Sequence, residues 1–168
     1  EINMALDFKV GRIVADNVYE IASLDRIAAE RNTVIPVLLR IKPGVDAHTH
    51  SFISTGQIDS KFGFALETGE AYEAVKKVLS CKNLDFLGLH CHIGSSILDT
   101  RGFVAAAEIM MAFIKKIKDE LEYEVRELNL GGGFGIRYVE SDDPLPYDEY
   151  MNAVAKVVNE YCESNSIN

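Results

Sequence analysis

The sequence predicts an α/β fold built around a parallel sheet. Short apolar segments alternate with amphipathic segments of helical spacing, which is the order of repeated strand-helix units. The longest apolar segments lack a regular polar face, as expected for parallel strands that are covered on both sides. A closed eight-stranded barrel of this kind takes about 250 residues, so a chain of 168 residues would form part of such a barrel.

The first elements are a helix end, a strand and a second helix. Residues 1–6 have the pattern of a helix that is already under way, and the apolar residues 11–15 predict a strand. Asp16 and Asn17 follow this strand as suitable N-caps. The amphipathic residues 18–30 then predict a helix.

The next strand is predicted at residues 34–41, which are almost all apolar and rich in branched side chains. The pair Pro43 and Gly44 marks a turn after it. Residues 46–61 show no sustained period, and a loop of this length inside a compact domain is usually functional. We therefore expect a functional loop there.

The remaining segments repeat the order of strand and helix. Residues 62–66 predict a short strand, and Thr68 is expected to cap a helix that ends at Leu79. The later elements are predicted in the order strand, helix, strand and helix at residues 84–91, 103–121, 127–130 and 147–161.

Charge and cysteine content limit the partners and the environment of the protein. A formal net charge of -9 would repel nucleic acid and anionic membranes. Charged residues interrupt every apolar run well before the roughly 20 residues that a membrane span takes. Cys81, Cys91 and Cys162 include no CxxC pair, which indicates reduced thiols. We therefore expect a cytoplasmic enzyme that acts on small metabolites.

Three consecutive glycines, Gly131, Gly132 and Gly133, follow the last predicted strand. Parallel α/β folds bind ligands at the carboxyl ends of their strands, where bare backbone lets amide groups approach a phosphate. A phosphate cradle is one interpretation, and a tight turn required by packing is the other. A dinucleotide fingerprint does not fit, because its sixth position holds Ile136 in place of glycine.

A second group of candidate residues follows the strand before. Alternation directs His90 and His92 to one face and Cys91 to the other. Three neighbouring residues on one strand do not converge easily on one zinc ion, so we expect no metal and favour a hydrogen-bonded core histidine at His90. His92 precedes Gly94 and Ser95, and a flat ring beside a small turn with a hydroxyl group suits a phosphorylated planar cofactor.

Three strings, in this order along the chain, carry a resemblance to a known family. They are His-Thr-His at residues 48–50 with Asp-Ser-Lys-Phe-Gly at 59–63, GLHCHIGSS at 88–96, and LNLGGGFGI at 128–136. Over about residues 10–161 the chain resembles the pyridoxal-phosphate-dependent decarboxylases of ornithine, diaminopimelate and arginine, and among these the diaminopimelate enzymes. The resemblance implies part of a (β/α)8 barrel of the TIM type, alanine-racemase-like, with pyridoxal 5'-phosphate bound at its carboxyl face.

The resemblance also implies roles for individual residues. The implied cofactor-binding residues are Arg40, His92, Ser95, Gly131, Gly132 and Gly133. His92 would stack on the pyridine ring, while Ser95 and the glycine backbone would hold the phosphate, with Gly133 as the strongest candidate. Arg40 matches an arginine near the cofactor, and a salt bridge is the alternative. Lys61 matches a segment that lies toward a dimer partner, so it is not expected to bind the cofactor.

The family's catalytic lysine, and the acidic residue that pairs with the pyridine nitrogen, match nothing in this sequence. We therefore interpret residues 1–168 as a partial pyridoxal-phosphate-binding barrel domain without its first strand and without the C-terminal β domain. This part alone is expected to be inactive and to contain no catalytic residue. The whole protein, a homodimer by resemblance, would be a carboxy-lyase that converts meso-diaminopimelate to L-lysine. The alternatives are an ornithine or arginine decarboxylase, a racemase on the same barrel, and a noncatalytic regulatory relative.

Overall fold

A computed structural model gives the fold of the protein and describes residues 1–45 and 61–167. The functional loop predicted at residues 46–61 lies outside the described residues, except for Lys61. The same holds for the first part of the string at residues 48–63 on which the family resemblance partly depends.

The strands form one parallel sheet within the described part of the chain. They are β1 (Ile13–Ala15), β2 (Ile35–Lys42), β3 (Phe64–Ala65), β4 (Leu84–Cys91) and β5 (Glu127–Asn129). Their order is β1-β2-β4-β5, and β3 pairs with the end of β2. Every one of these pairs is parallel, which confirms the predicted α/β class.

The helices alternate with these strands as predicted. They are α1 (Ile2–Asp7), α2 (Val18–Glu30), α3 (Glu70–Leu79), α4 (Arg101–Leu121) and α5 (Tyr147–Asn165). The sequence placed all five, although α4 begins earlier and α5 ends later than predicted. Boundaries are the least certain part of such predictions, because helix ends depend on local caps as well as on the apolar pattern.

β2 is the central strand on which the rest of the sheet is built. Val37, Leu38 and Leu39 are each 0% exposed. Since successive side chains of a strand point to opposite faces, both faces of β2 are covered, as the sequence predicted. Burial of each such side chain contributes about 1.5–3 kcal/mol relative to exposure. The strand therefore holds its polar carboxyl end in a fixed position.

The start of α2 confirms one of the two predicted caps. Oδ1 of Asn17 accepts hydrogen bonds from the amides of Tyr19 and Glu20, both at 3.0 Å. The Glu20 carboxylate in turn accepts from the amide of Asp16 at 2.6 Å, which closes the turn much as a capping box does. The Asp16 side chain is not a cap, because it turns toward Arg40.

The predicted cap of α3 is wrong. The N-cap is Gly69, with φ of 81°, and it makes no side-chain capping bond. The chain turns from β3 into α3 through a left-handed conformation that glycine adopts without strain, so the turn sets the helix start and Thr68 remains outside it. The Glu70 carboxylate accepts from the Ala65 amide at 3.0 Å and ties α3 to β3.

Candidate functional site

Two bends lie side by side at the carboxyl end of the sheet. We call residues 92–96, which follow β4, the HIGS bend, and residues 131–135, which follow β5, the glycine bend. The amide of Ile97 donates to the carbonyl of Gly133 at 3.0 Å, and the amide of Gly135 donates to the carbonyl of Ile97 at 2.7 Å. These bonds close a parallel bridge between Ile97 and Phe134. The two bends are therefore held next to each other.

Two of the three consecutive glycines are required by close packing. A Cβ on Gly133 would lie 1.9 Å from the carbonyl oxygen of Gly94, and a Cβ on Gly131 would lie 2.5 Å from that of Cys91. Both glycines also have positive φ, 98° and 74°. The tight-turn interpretation of the sequence thus accounts for Gly131 and Gly133. Around Gly132, by contrast, no atom of the described residues lies within 4 Å of the Cβ position.

The amides of the glycine bend differ in their availability. The amide of Gly131 donates to Oδ1 of Asn129 at 2.8 Å. Within residues 1–45 and 61–167, those of Gly132 and Gly133 donate to no protein acceptor. Gly131 and Gly133 both have positive φ, and turns that leave successive backbone amides free form concavities that bind anions. The geometry and the donors therefore suit a phosphate group, with Gly132 and Gly133 supplying the amides.

The HIGS bend brings the other two predicted side chains beside the glycine bend. Nδ1 of His92 lies 3.2 Å from the Cβ position of Gly131, and Cα of Ser95 lies 3.3 Å from that of Gly133. Both His92 and Ser95 are exposed. His92 and Ser95 thus lie beside the glycine bend on the side of β4.

A row of polar side chains crosses the sheet just before the bends. Arg40 on β2 pairs in register with His90 on β4, and His90 pairs with Asn129 on β5. Asp16 follows the last residue of β1. Its Oδ1 lies 3.5 Å from Nη1 of Arg40. We call these four residues the polar row. It places a cation, a histidine and an amide at the carboxyl ends of neighbouring strands.

Arg40 makes the salt bridge that the sequence offered as an alternative. Its guanidinium group also lies 4.8 Å from the centre of the Phe62 ring. Both partners of the ion pair keep about a quarter of their side-chain surface exposed, so the arginine is held in place without being sealed from solvent. Its position near a cofactor stays a prediction.

His90 is hydrogen-bonded as expected, but it does not belong to the core. It is half-buried at the carboxyl end of β4, and its Nδ1 lies 3.2 Å from Oδ1 of Asn129. Burial lowers the pKa of the imidazole, and the nearby Arg40 acts in the same direction, whereas the bond to Asn129 opposes them. The neutral ring is therefore favoured at neutral pH. The alternation of side chains correctly predicted the face of β4 on which His90 lies. It did not predict that His90, near the end of this strand, is only half-buried.

Cys91 lies on the opposite face of β4 and is fully buried. Desolvation raises the pKa of its thiol to about 12. A thiol that stays protonated is a poor metal ligand. In the part of the chain that the structure describes, no three side chains of metal-binding type come together.

An aromatic cluster supports the glycine bend from behind. Phe134 stacks on Phe103 of α4 with ring centres 4.6 Å apart, and it also contacts Tyr150 of α5 at 5.1 Å. Tyr150 is fully buried and donates its hydroxyl to the carbonyl of Ile97 at 3.0 Å. The bends are thus anchored to two helices, which the sequence analysis did not foresee.

A largely apolar cleft of about 600 Å³ opens beside the glycine bend, between β5 and α5. Leu128, Leu130 and Met151 are among the apolar residues that line it, and Asn129 and Gly131 lie at its polar side. An apolar surface therefore lies next to the site.

This fold and this pair of bends match a known class of domain. The sequence profile described as "Pyridoxal-dependent decarboxylase, pyridoxal binding domain" matches residues 1–168. The chain therefore belongs to the family of pyridoxal-dependent decarboxylases, which confirms the resemblance and, at the level of the family, the predicted cofactor.

The particular relatives are diaminopimelate decarboxylases. The chain is 50% identical over 165 residues to the enzyme of Bacillus methanolicus, covering 96% of this chain and 38% of the relative. It is 50% identical over 160 residues to that of Bacillus subtilis, covering 95% of this chain and 36% of the relative. The chain thus spans little more than a third of these relatives.

Solved structures agree with the sequence comparison. The diaminopimelate decarboxylase of M. jannaschii in complex with L-lysine matches with a TM-score of 0.87 and 31% identity, over 96% of this chain and 37% of that one. The Helicobacter pylori enzyme, also with L-lysine, matches with a TM-score of 0.79 and 26% identity, over 95% and 39%. The chain forms part of a TIM-type barrel, as predicted. None of the described helices is long and apolar enough to span a membrane.

Proposed function

We propose that this chain supplies the phosphate-binding side of the pyridoxal-phosphate site in a diaminopimelate decarboxylase. The observation that carries the proposal is the pair of bonds between Ile97 and the glycine bend, because they hold next to each other the two turns proposed to bind the phosphate. The similarity to diaminopimelate decarboxylases over nearly the whole chain supports the choice of reaction.

In the proposed site both bends contribute to the phosphate, and the HIGS bend also supplies a ring. The amides of Gly132 and Gly133 and the hydroxyl of Ser95 would hold the phosphate, because the two amides are available to a ligand and the backbone of Ser95 lies next to Gly133. His92 would lie against one face of the pyridine ring, since its imidazole is next to the space that a Cβ on Gly131 would fill. Arg40 would contribute positive charge near the cofactor, held by Asp16.

When bound, pyridoxal phosphate would supply a sink for the electron pair that the substrate retains as it loses carbon dioxide. The residues of this chain would keep the ring and the phosphate still, and fixed geometry of this kind is a large part of the catalytic advantage. The proposed substrate is meso-diaminopimelate, decarboxylated at its D-configured end to give L-lysine. The lysine that binds the cofactor, and the acid at the pyridine nitrogen, are proposed to come from other parts of the whole protein.

The reaction is tested with the full-length protein and pyridoxal phosphate. Release of carbon dioxide and formation of L-lysine from meso-diaminopimelate are expected, with much slower turnover of ornithine and arginine. Preferential turnover of ornithine or arginine would overturn the substrate assignment. Epimerisation without release of carbon dioxide would identify a racemase, and absence of any turnover by cofactor-loaded protein would favour a regulatory relative.

The proposal includes a cytoplasmic homodimer. The resemblance of the segment around Lys61 to a dimer-facing segment supports the assembly, and Lys61 is exposed. The reduced cysteines that the sequence predicts fit a cytoplasmic environment. Light scattering of the full-length protein should give twice the chain mass, and a monomeric mass would reject this part of the proposal.

A further inference from the structure

The side chain of Asn129 connects the polar row to the glycine bend. Its Oδ1 accepts a hydrogen bond from the amide of Gly131 at 2.8 Å and lies 3.2 Å from Nδ1 of His90. One oxygen atom therefore contacts a backbone donor and a ring nitrogen. Asn129 is exposed at the end of β5, so these two contacts are what give its side chain a defined orientation.

The bond to Gly131 decides which way the amide of Asn129 points. A backbone N–H is a donor and requires an oxygen, so the side-chain oxygen must face the glycine bend, and the amide nitrogen must face away. The same oxygen then faces His90. An amide oxygen accepts hydrogen bonds and donates none, which means that Nδ1 of His90 must carry the proton.

The other nitrogen of His90 is consequently an acceptor. In the neutral imidazole a proton on Nδ1 leaves a lone pair on Nε2. Because the bond to the Asn129 side chain uses Nδ1, it does not engage this lone pair. Arg40, the neighbour of His90 in the polar row, disfavours a second proton on the ring. The row therefore offers a fixed cation and a neutral acceptor on adjacent strands.

We propose that Asn129 is a positioning residue that holds His90 as the Nδ1–H tautomer, so that Nε2 accepts a hydrogen bond from an N–H or O–H group bound in the site. This inference rests on the proposed function for the identity of the site, but the tautomer itself does not require a cofactor. The donor belongs either to the cofactor or to the substrate, and both supply groups of this chemistry.

The tautomer is tested first, in the cofactor-free full-length protein labelled with nitrogen-15 at histidine. Two-bond proton-nitrogen correlation spectra distinguish the tautomers, and the variant His90→Phe identifies the signals of His90. We expect Nδ1–H in the wild type and in Asn129→Asp, which keeps an acceptor oxygen at the same place. Asn129→Leu, which has a similar volume but no acceptor, should lose this preference.

The control for Asn129→Leu is Asn152→Leu, the same change at an exposed residue of α5, which should leave the spectrum of His90 as in the wild type. A wild-type His90 with its proton on Nε2 would overturn the proposal, and so would a tautomer unaffected by Asn129→Leu. If Asn129→Leu fails to fold, loss of the Nδ1–H form in Asn129→Asp would overturn it as well. These results are independent of whether the protein is a decarboxylase.

Ligand binding is tested second, with His90→Phe, which keeps a flat ring but removes the acceptor. Loss of one hydrogen bond weakens binding by about tenfold. If the donor belongs to the cofactor, the Kd for pyridoxal phosphate measured by absorbance rises by this factor. If it belongs to the substrate, KM rises while cofactor affinity is retained. Unchanged values of both would refute an acceptor role for Nε2, even in a protein whose decarboxylase activity had been demonstrated.

Discussion

The two ends of the parallel sheet are built in different ways. At the carboxyl end, Gly94, Gly131 and Gly133 all have positive φ, and polar side chains are half-buried or exposed next to backbone amides. At the amino end, β4 is fixed by ordinary stabilising contacts. Oδ1 of Asp25 accepts from both the amide and the side chain of Asn83, at 3.1 and 3.0 Å.

The difference shows how one scaffold separates stability from binding. A parallel sheet aligns all strand ends, so residues at the carboxyl end meet around a ligand while those at the amino end are free to serve the fold. Arg126 bonds to Asp85 and to the carbonyl of Phe86 at the amino end. We therefore expect substitutions at the amino end to change stability alone, and those at the carboxyl end to change cofactor binding.

The largest expected effect is that of Gly133→Ala. The new Cβ would lie 1.9 Å from the carbonyl oxygen of Gly94 at a φ of 98°, so the two bends must separate. Strain and overpacking together should cost about 3 kcal/mol of the free energy of unfolding, and cofactor binding should be lost. Chemical unfolding and cofactor absorbance of the full-length protein measure both effects.

Gly69→Ala is the matched control for this change. Gly69 has a φ of 81°, but no atom of the described residues lies within 4 Å of its Cβ position. Only backbone strain of about 1–2 kcal/mol is expected, with cofactor affinity unchanged. Equal effects of the two variants would mean that contact between the bends does not matter for the site.

The second-largest effect is expected for Asp25→Ala at the amino end of the sheet. The change removes both hydrogen bonds to Asn83, which are partly buried, so a loss of about 1–2 kcal/mol in the free energy of unfolding is expected. Cofactor affinity of the folded protein should equal that of the wild type. A clear decrease in affinity would break the separation of the two ends.

Ser95→Ala and His92→Ala test the carboxyl end. Their expected effect on the free energy of cofactor binding is similar in size to the effect of Asp25→Ala on stability. Both residues are exposed, so the unfolding transition should barely move. Each change removes one proposed contact to the cofactor and should weaken its binding by about tenfold. Absorbance of the bound cofactor after dialysis checks this, and full retention in both variants would reject the two assignments.

Much of this contrast could be predicted from the sequence, because it depends on local patterns. The branched apolar run of β2 identified a strand buried on both faces, and the glycines after β5 marked a bend at a ligand-binding edge. What could not be predicted depends on register. The partners in the pairs Asp16–Arg40 and His90–Asn129 are far apart in sequence. Only the pairing of the strands brings them together.

Two predictions were wrong for the same physical reason, because each relied on a local sequence pattern while the outcome depends on the surrounding fold. Thr68 has the side chain of a good cap, but the turn required by β3 and α3 puts the helix start at Gly69. His90 has the alternation of a core residue, but it lies at the end of its strand and is only half-buried. Asn129 was recognisable as a polar residue directly before a glycine bend, yet its two partners are defined only by the folded backbone.

The smallest expected effect is that of Asp85→Asn at the amino end. Asp85 and Arg126 form an ion pair in which each side chain is about half exposed, and solvent screens such pairs so that they contribute about 0–1 kcal/mol. The pair also lies at the end of β4 remote from the bends, so neither cofactor affinity nor turnover should change. Salt titration of the unfolding midpoint gives the measurement, since the small difference between wild type and variant should disappear as ionic strength rises. A difference that persists at high salt would indicate that Asp85 acts through more than charge, and the amino end would then have a further structural role beside its hydrogen bonds.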